Sequence, residues 1–444
     1  MCDQEPLARS LAVLMFAVTL VAAYRPEDDE GPVKFGPIPT FSPVDVPYEP
    51  PEVLHSPERL HQVLGILLAA LVVLIISGSK ASGGAVLNAI YILMLKIGPD
   101  AAIPLTSVSI FGGAVCDFML NLWKKSINSN SSLINWDFIL IMQPMLLLGA
   151  IFGASLITWF STWLLISALI VYLAYIGKEA LRKTRAVSHD EGWRWCSSGE
   201  SMSLIGAPSM SFQEDEGNFQ YKAGLPWRKL GLNFSVFAVT VLLTALQGGQ
   251  YFPSPLGIPS TSFFFLFVSM LPFIFLSIVS HYQMKDVVAT HQKQQNSRFV
   301  LASNEVQWSQ DSIRKLPLRL LGIGALGGAF GVGGEEATWG LLRGVNFTPA
   351  AASAMSATAV LFVSGMASFD FFLWGKLDLN LAKLLMPLGF IMTLFGRLCL
   401  AKIVYKARSR TLLLFAITAA MFISIVPLSL MVLRALFWLL GERE

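Results

Sequence analysis

Charge is scarce in this chain. Lys, Arg, Asp and Glu make up 14% of its 444 residues, against about 25% in a soluble domain. Most of the chain therefore lacks the polar surface that water-facing structure needs. The formal net charge of +3 is too small to draw nucleic acid, and no such partner is expected. Cysteine is scarce too: Cys2, Cys116, Cys196 and Cys399 stand far apart, which is neither a disulfide framework nor a metal-ligand spacing. The five histidines fall in loops or at segment ends, which argues against a histidine proton relay in mid-membrane. No HExxH, no His/Cys cluster and no Ser/His/Asp set occurs in the apolar segments. The expectation is a protein that is not an enzyme and holds neither metal nor cofactor.

Long apolar runs fill the rest. At the N-terminus, Leu11 to Ala23 is an apolar run of signal-peptide length, preceded by Arg9 and ending in small residues. Residues 1–23 are expected to be a signal peptide, with a retained signal anchor as the competing reading. Residues 24–57 are rich in proline and acid and are expected to form an extended extracytoplasmic linker. A helix needs about 20 apolar residues to cross the hydrocarbon core. Candidate spans are 59–77, 101–122, 136–157, 160–177, 229–248, 261–281, 316–331, 350–373, 380–401 and 411–432. Ala85 to Ile97 and Ala337 to Val345 are apolar but too short, and each follows a glycine cluster, Gly83-Gly84 and Gly331-Val332-Gly333-Gly334. A helix break at membrane depth survives only where protein or a water-filled cavity satisfies its backbone. One such cluster could serve close packing alone; two in matching positions favour a binding site.

The two breaks belong to an internal repeat. A shift of 250 residues sets Gly83-Gly84 on Gly333-Gly334, Pro99 on Pro349 and Ala101-Ala102 on Ala351-Ala352. One further residue of shift sets Thr106-Ser107 on Ala357-Thr358 and Phe111 on Phe362. The expected organisation is a first transmembrane repeat at 58–181, a cytoplasmic loop at 182–227 and two additional helices at 228–282. A second cytoplasmic loop follows at 283–312, then the second repeat at 313–444. Lysine and arginine crowd both long loops, whereas Gly249 to Ser262 has no charge, which sets the loops inside. If each broken pair enters and leaves on one side, the copies are related by inversion. The fold class is thus an all-α polytopic membrane protein of two inverted repeats, each with a glycine-broken helical hairpin. It is expected to be an integral multi-pass protein of the plasma membrane or an endomembrane, with its N-terminus extracytoplasmic. The function expected of such a chain is to move a solute across the bilayer.

The run GGAVLNAIYILMLKIGPDAAIPLTSVSIFGGAVCDFMLNL, residues 83–122, resembles the first repeat of the sulfite exporter TauE/SafE family, in its eukaryotic branch. DFILIMQPMLLLG, from Asp137 to Gly149, resembles that branch's next helix. GALGGAFGVGGEEATWGLLRGVNFTPAAASAMSATAVLF, residues 324–362, resembles the second-repeat signature. The resemblance covers most of the apolar chain and implies a transporter of small sulfur-containing anions, sulfite or organosulfonates, coupled to an ion gradient. Four positions depart from the family pattern, and the first is Ala85, which follows only two glycines in the first repeat. Glu335 stands where a third glycine is usual, Gly340 where a proline is usual, and Gln143-Pro144 where a Glu-Pro pair is usual.

A broken helix exposes N–H groups and the positive end of its dipole, which together attract an anion. The candidate substrate-binding residues are therefore Gly83, Gly84, Gly333 and Gly334, with Asn88 and Thr338 four residues into the short helices. Thr106, Ser107, Ser356 and Thr358 open the following helices; their hydroxyls serve either the substrate or their own helix backbone. Gln143 serves either a substrate or a neighbouring helix. Glu335 and Glu336 are adjacent carboxylates inside a membrane segment, and such groups mark ion or proton paths by default. They are the proton-coupling candidates, with a water-facing capping pair as the alternative. Asp117 and Asp370 are expected to pair with Lys124 and Lys376, or with waters. Trp136, Trp159 and Trp374 are expected in an interfacial belt. A receptor or scaffold, or a permease for an unrelated small solute, is the other functional class these features allow.

Overall fold

The computed structural model describes residues 56–79, 83–124, 132–160, 162–190, 227–249, 263–296, 310–345, 347–401, 403 and 410–441. The expected signal peptide, nearly all of the linker, most of the first expected cytoplasmic loop and residues 297–309 of the second lie outside them. The described chain is helical throughout. In the first half the helices are α1 (Ser56–Ser79), α2 (Gly84–Met94), α3 (Pro99–Leu122), α4 (Trp136–Trp159), α5 (Thr162–Asp190), α6 (Trp227–Gln247) and α7 (Phe263–Asn296). In the second they are α8 (Gln310–Phe330), α9 (Glu335–Gly344), α10 (Pro349–Leu373), α11 (Leu379–Phe395), a π turn (Gly396–Leu400) and α12 (Arg410–Gly441). Helices α5 and α7 run well past the ends expected of their spans, and Pro427 does not divide α12.

Among the described residues, eight helices are long and apolar enough to cross a membrane: α3, α4, α5, α6, α7, α10, α11 with its π turn, and α12. The chain is an all-α polytopic membrane protein. Helices α1 and α8, which cover the candidate spans 59–77 and 316–331, are not among the eight. Each carries charged residues in its first turns and stops at a glycine break, so each is the first arm of a hairpin.

Local signals start the helices where the repeat predicts. Pro99 and Pro349 occupy the first turn of α3 and α10, where a missing N–H costs nothing. Thr348 caps α10 by accepting from Ala351 N at 3.3 Å. The side chains of Asn135 and Asp378 cap the matching helices α4 and α11, accepting from Phe138 N at 3.2 Å and Asn380 N at 2.9 Å.

Helices α3 and α10 pack on each other, and two further contacts between the halves recur with the halves exchanged, whereas those of α12 with α1 and α2 have no such counterpart among the described residues. Helix α4 packs on α8 as α11 packs on α1; α11 packs on α3 as α4 packs on α10; α5 packs on its own counterpart α12. The α4–α8 seam is the closest. Its Gly149 and Gly153 face Gly324 and Gly328, and a Cβ on any of them would strike backbone of the other helix. Small residues four apart on both faces let two membrane helices touch. The additional helices α6 and α7 pack on each other and on α4. They bury 22% of their apolar windows, against 83% for α10, so their outer faces are apolar surface fit for lipid.

Candidate functional site

The two glycine breaks differ in backbone but meet in space. In the second, Gly331, Gly333 and Gly334 have φ of 64°, 73° and 69°, a left-handed conformation that only glycine adopts without cost. Gly334 is the N-cap of α9. In the first, Gly83 has φ −134°, so conformation does not demand glycine; space does. A Cβ on Gly84 would lie 2.9 Å from the Val332 side chain, so the first break packs directly on the second. A Cβ on Gly331 would lie 2.5 Å from the carbonyl oxygen of Ile103 in α3. Buried Asn88 closes the junction, its Nδ2 donating to Phe330 O at 2.7 Å.

Beside this junction is a cavity of about 70 Å³, open on one side. Its walls come from both copies: Gly83, Gly84 and Leu87 from the first break, Val332 and Glu335 from the second, Ala357 and Val360 from α10. Ser77, Ser109, Thr393 and Asp117 supply the remaining polar lining. Ser109 is held in place, its Oγ donating to Leu105 O at 2.9 Å and paired with the Tyr91 hydroxyl at 2.8 Å. Ser77 Oγ–H donates to Thr393 O at 3.1 Å. The lining is mostly apolar with a few convergent hydroxyls and two carboxyl groups, and among the described residues no lysine or arginine lines it.

Of the candidate residues, Gly83, Gly84 and Glu335 line this cavity; the others stand behind or away from it. Gly333 is packed against Val360 and Gly334 against Ile323. Glu336 is buried and within electrostatic reach of Tyr172, whose ring stacks on Phe330 at 4.6 Å. Three hydroxyls serve their own backbone: Thr338 to Gly334 O, Ser356 to Ser353 O and Thr358 to Ala354 O. Ser107 instead ties α3 to α10, donating to Ser364 O at 3.2 Å and accepting from Ser368 Oγ at 3.1 Å. Thr106 Oγ1 is buried without a partner. Gln143 faces α6, its Nε2 donating to Asn233 O at 2.8 Å.

Two pairing expectations and one interfacial placement are corrected. Asp117 pairs not with Lys124 but with Arg397 on the π turn, through Nε–Oδ1 at 2.6 Å and Nη2–Oδ2 at 2.9 Å. Asp370 does not reach Lys376; it is 2% exposed and both carboxyl oxygens lack a hydrogen-bond partner. Trp136 is buried against Phe118 rather than set in an interfacial belt, because α4 is enclosed by α8, α10, α6 and α7. Trp374 is partly exposed, and the side chain of Trp159 lies outside the described residues. Arg397 is the residue the sequence reading passed over. Its signal was available: an arginine inside the apolar run 380–401, where an ionisable group marks function by default.

No protein-family model and no solved structure matches the chain. Curated relatives do. Sulfite exporter TauE/SafE family protein 1 of Arabidopsis thaliana is 23% identical over 389 residues, covering 84% of this chain and 86% of the relative. Family protein 2 of the same plant is 24% identical, covering 83% of each chain. Family protein 3 is 24% identical, covering 82% of this chain and 77% of the relative. The chain is similar to proteins of the sulfite exporter TauE/SafE family. The TauE/SafE similarity extends over more than four-fifths of its length. The relatives are named as transporters, and the eight membrane-length helices fit a permease.

Proposed function

We propose that this chain is a secondary transporter that carries a small anion, sulfite or an organosulfur anion, across its membrane. The observation that carries the reading is the cavity at which the two glycine breaks meet within the helical core. A short helix starts at each break, and helix N-termini offer unpaired N–H groups and a favourable dipole to an anion. The proposal assigns Gly83, Gly84, Gly333 and Gly334 to shaping that site. It takes the exchange-related packing of the copies as the mark of an inverted repeat, the architecture that lets one half rock against the other. Under the lysine and arginine distribution, the N-terminus is extracytoplasmic and the Asp117 end of the cavity opens toward the cytoplasm.

Coupling to protons is assigned to Glu335 and Glu336. Glu335 lines the cavity and Glu336 is buried next to it. Two carboxylates repel an anion, so protonation of one removes a barrier to its entry. The test is uptake of radiolabelled sulfite and taurine into proteoliposomes of the full chain, with and without an inward proton gradient. Saturable uptake of either anion supports the transporter. Uptake that ignores the gradient, or a Glu335→Gln/Glu336→Gln variant that still responds to it, removes the coupling assignment. No uptake of either anion by folded protein removes this substrate class.

A further inference from the structure

Helix α10 carries cavity wall in its first half and a buried acid near its end. Ala357 and Val360 line the cavity, and Asp370 lies in the last turn. Asp370 is 2% exposed, and neither carboxyl oxygen has a hydrogen-bond partner. The acid of the matching helix is placed differently: Asp117, near the end of α3, is bidentate on Arg397 of the π turn. Helix α4 packs on α10 as α11 packs on α3, but after Asp137 it has no ionisable residue.

The other elements around α10 bring no cation to Asp370 among the described residues. Helices α3, α4, α6, α8 and α9 pack on α10. The start of α3 lies at this level, since Ile103 clusters with Ala367 and Phe371; its first turn carries Asp100, which is exposed and of the same sign, and exposed Lys96 precedes it. Helix α6 has no ionisable residue after Lys229, and α5, whose Leu165 joins that cluster, has none before Tyr172. Helices α8 and α9 meet α10 nearer its start, where Gly327 abuts Val363 and Gly333 abuts Val360. Lys376 and Asp378 lie past the end of α10 and are partly exposed. The connection 250–262 has no lysine, arginine or histidine. Backbone closes over the site: α6 ends at Gly248, with φ 72°, and a Cβ on Gly249 would strike the carbonyl of Leu373. Leu373 follows Asp370 by one turn on the same face, so the end of α6 lies over the face that carries the acid.

A buried carboxylate with no counter-charge is strongly unfavourable, and such a group neutralises instead. We propose that Asp370 is a proton-binding site of the carrier and that its proton licenses closure of this end. In this conformation the group is the neutral acid. When the halves rock and the end of α6 parts from α10, water reaches the carboxyl and it ionises; the end closes again once a proton rejoins it. The step is an acid–base equilibrium in which one O–H bond forms and breaks. A ligand favours the state that binds it better, so closure is favoured at low pH and opposed as pH rises. The site is separate from Glu335 and Glu336, which stand at the cavity and the first turn of α9.

The transport arm of the test rests on the anion-transport reading; the spectroscopic arm does not. Infrared spectra of the purified full chain in ester-free detergent at neutral pH are expected to show a protonated-carboxyl C=O component. Asp370→Asn should lack that component and Glu335→Gln/Glu336→Gln should keep it. In proteoliposomes with equal pH on both sides, exchange of labelled for unlabelled sulfite or taurine is expected to slow several-fold from neutral to alkaline pH. Asp370→Asn, permanently neutral, is expected to lose that slowing. Melting temperature checks the fold, and Asp370→Leu, equally unable to ionise, takes both tests if the amide does not fold. An unchanged carboxyl spectrum in the folded variant, or a pH profile that keeps the wild-type fall, overturns the proposal. If folded wild-type protein exchanges neither anion, the transport reading falls, and the infrared component alone decides whether Asp370 holds a proton.

Discussion

The side-chain amide of Asn88 donates to the carbonyl oxygen of Phe330 at 2.7 Å, tying the helix that follows one glycine break to the last residue before the other. Phe330 ends α8, where a carbonyl has no helical donor of its own. Asn88→Ala leaves that carbonyl buried and unpaired. The expected cost is about 1–3 kcal/mol, seen as a lower melting temperature in detergent. Thr338→Val, at the matching position of the other copy, loses only a bond to its own helix and is expected to cost less. Equal losses would mean the amide does not hold the junction.

The α4–α8 seam depends on the absence of side chains. A Cβ at Gly153 would lie 2.7 Å from Ala329 N and against Ala325 O, and backbone cannot move aside as a side chain can. Gly153→Ala is expected to destabilise by about 1–3 kcal/mol. Gly340 lies inside α9 with nothing near its Cβ position, so Gly340→Ala is expected to stabilise by up to about 1 kcal/mol. Thermal unfolding of the two variants should shift in opposite directions.

Asp370 presents two buried acceptors to no donor. Replacing an unsatisfied buried polar group with an apolar one removes a desolvation penalty. Asp370→Leu is expected to raise the melting temperature, and Asp370→Asn, which keeps a polar group there, is not. A marked loss of stability in Asp370→Leu would show that the carboxyl has a role the static packing does not reveal.

Much of this architecture is legible in the sequence because membrane helices are defined by local composition. The breaks announce themselves as glycine clusters, and the spans expected at 101–122 and 350–373 match α3 and α10 to within two residues. Side-chain partners are not local. Asp117 and Arg397 are 280 positions apart, so only the rotation of α3 against α11 decides that Asp117 turns from nearby Lys124 to that arginine. The hydroxyls show the same limit. Thr358 and Ser107 both open helices at matching positions, yet one bonds Ala354 O in its own helix and the other reaches Ser364 O across the α3–α10 crossing. Periodicity cannot separate these outcomes, because both faces are buried.

The central claim is that the cavity between the two breaks is the path of the anion. Ala357 lines it and is buried, and Ala357→Phe would fill it without adding charge. The deciding measurement is radiolabelled sulfite and taurine uptake by proteoliposomes of wild type and of this variant, both shown to be folded by their melting. The account predicts saturable uptake by wild type of at least one anion and none of it by Ala357→Phe. Uptake by the folded variant at the wild-type rate would place the path elsewhere and contradict the account.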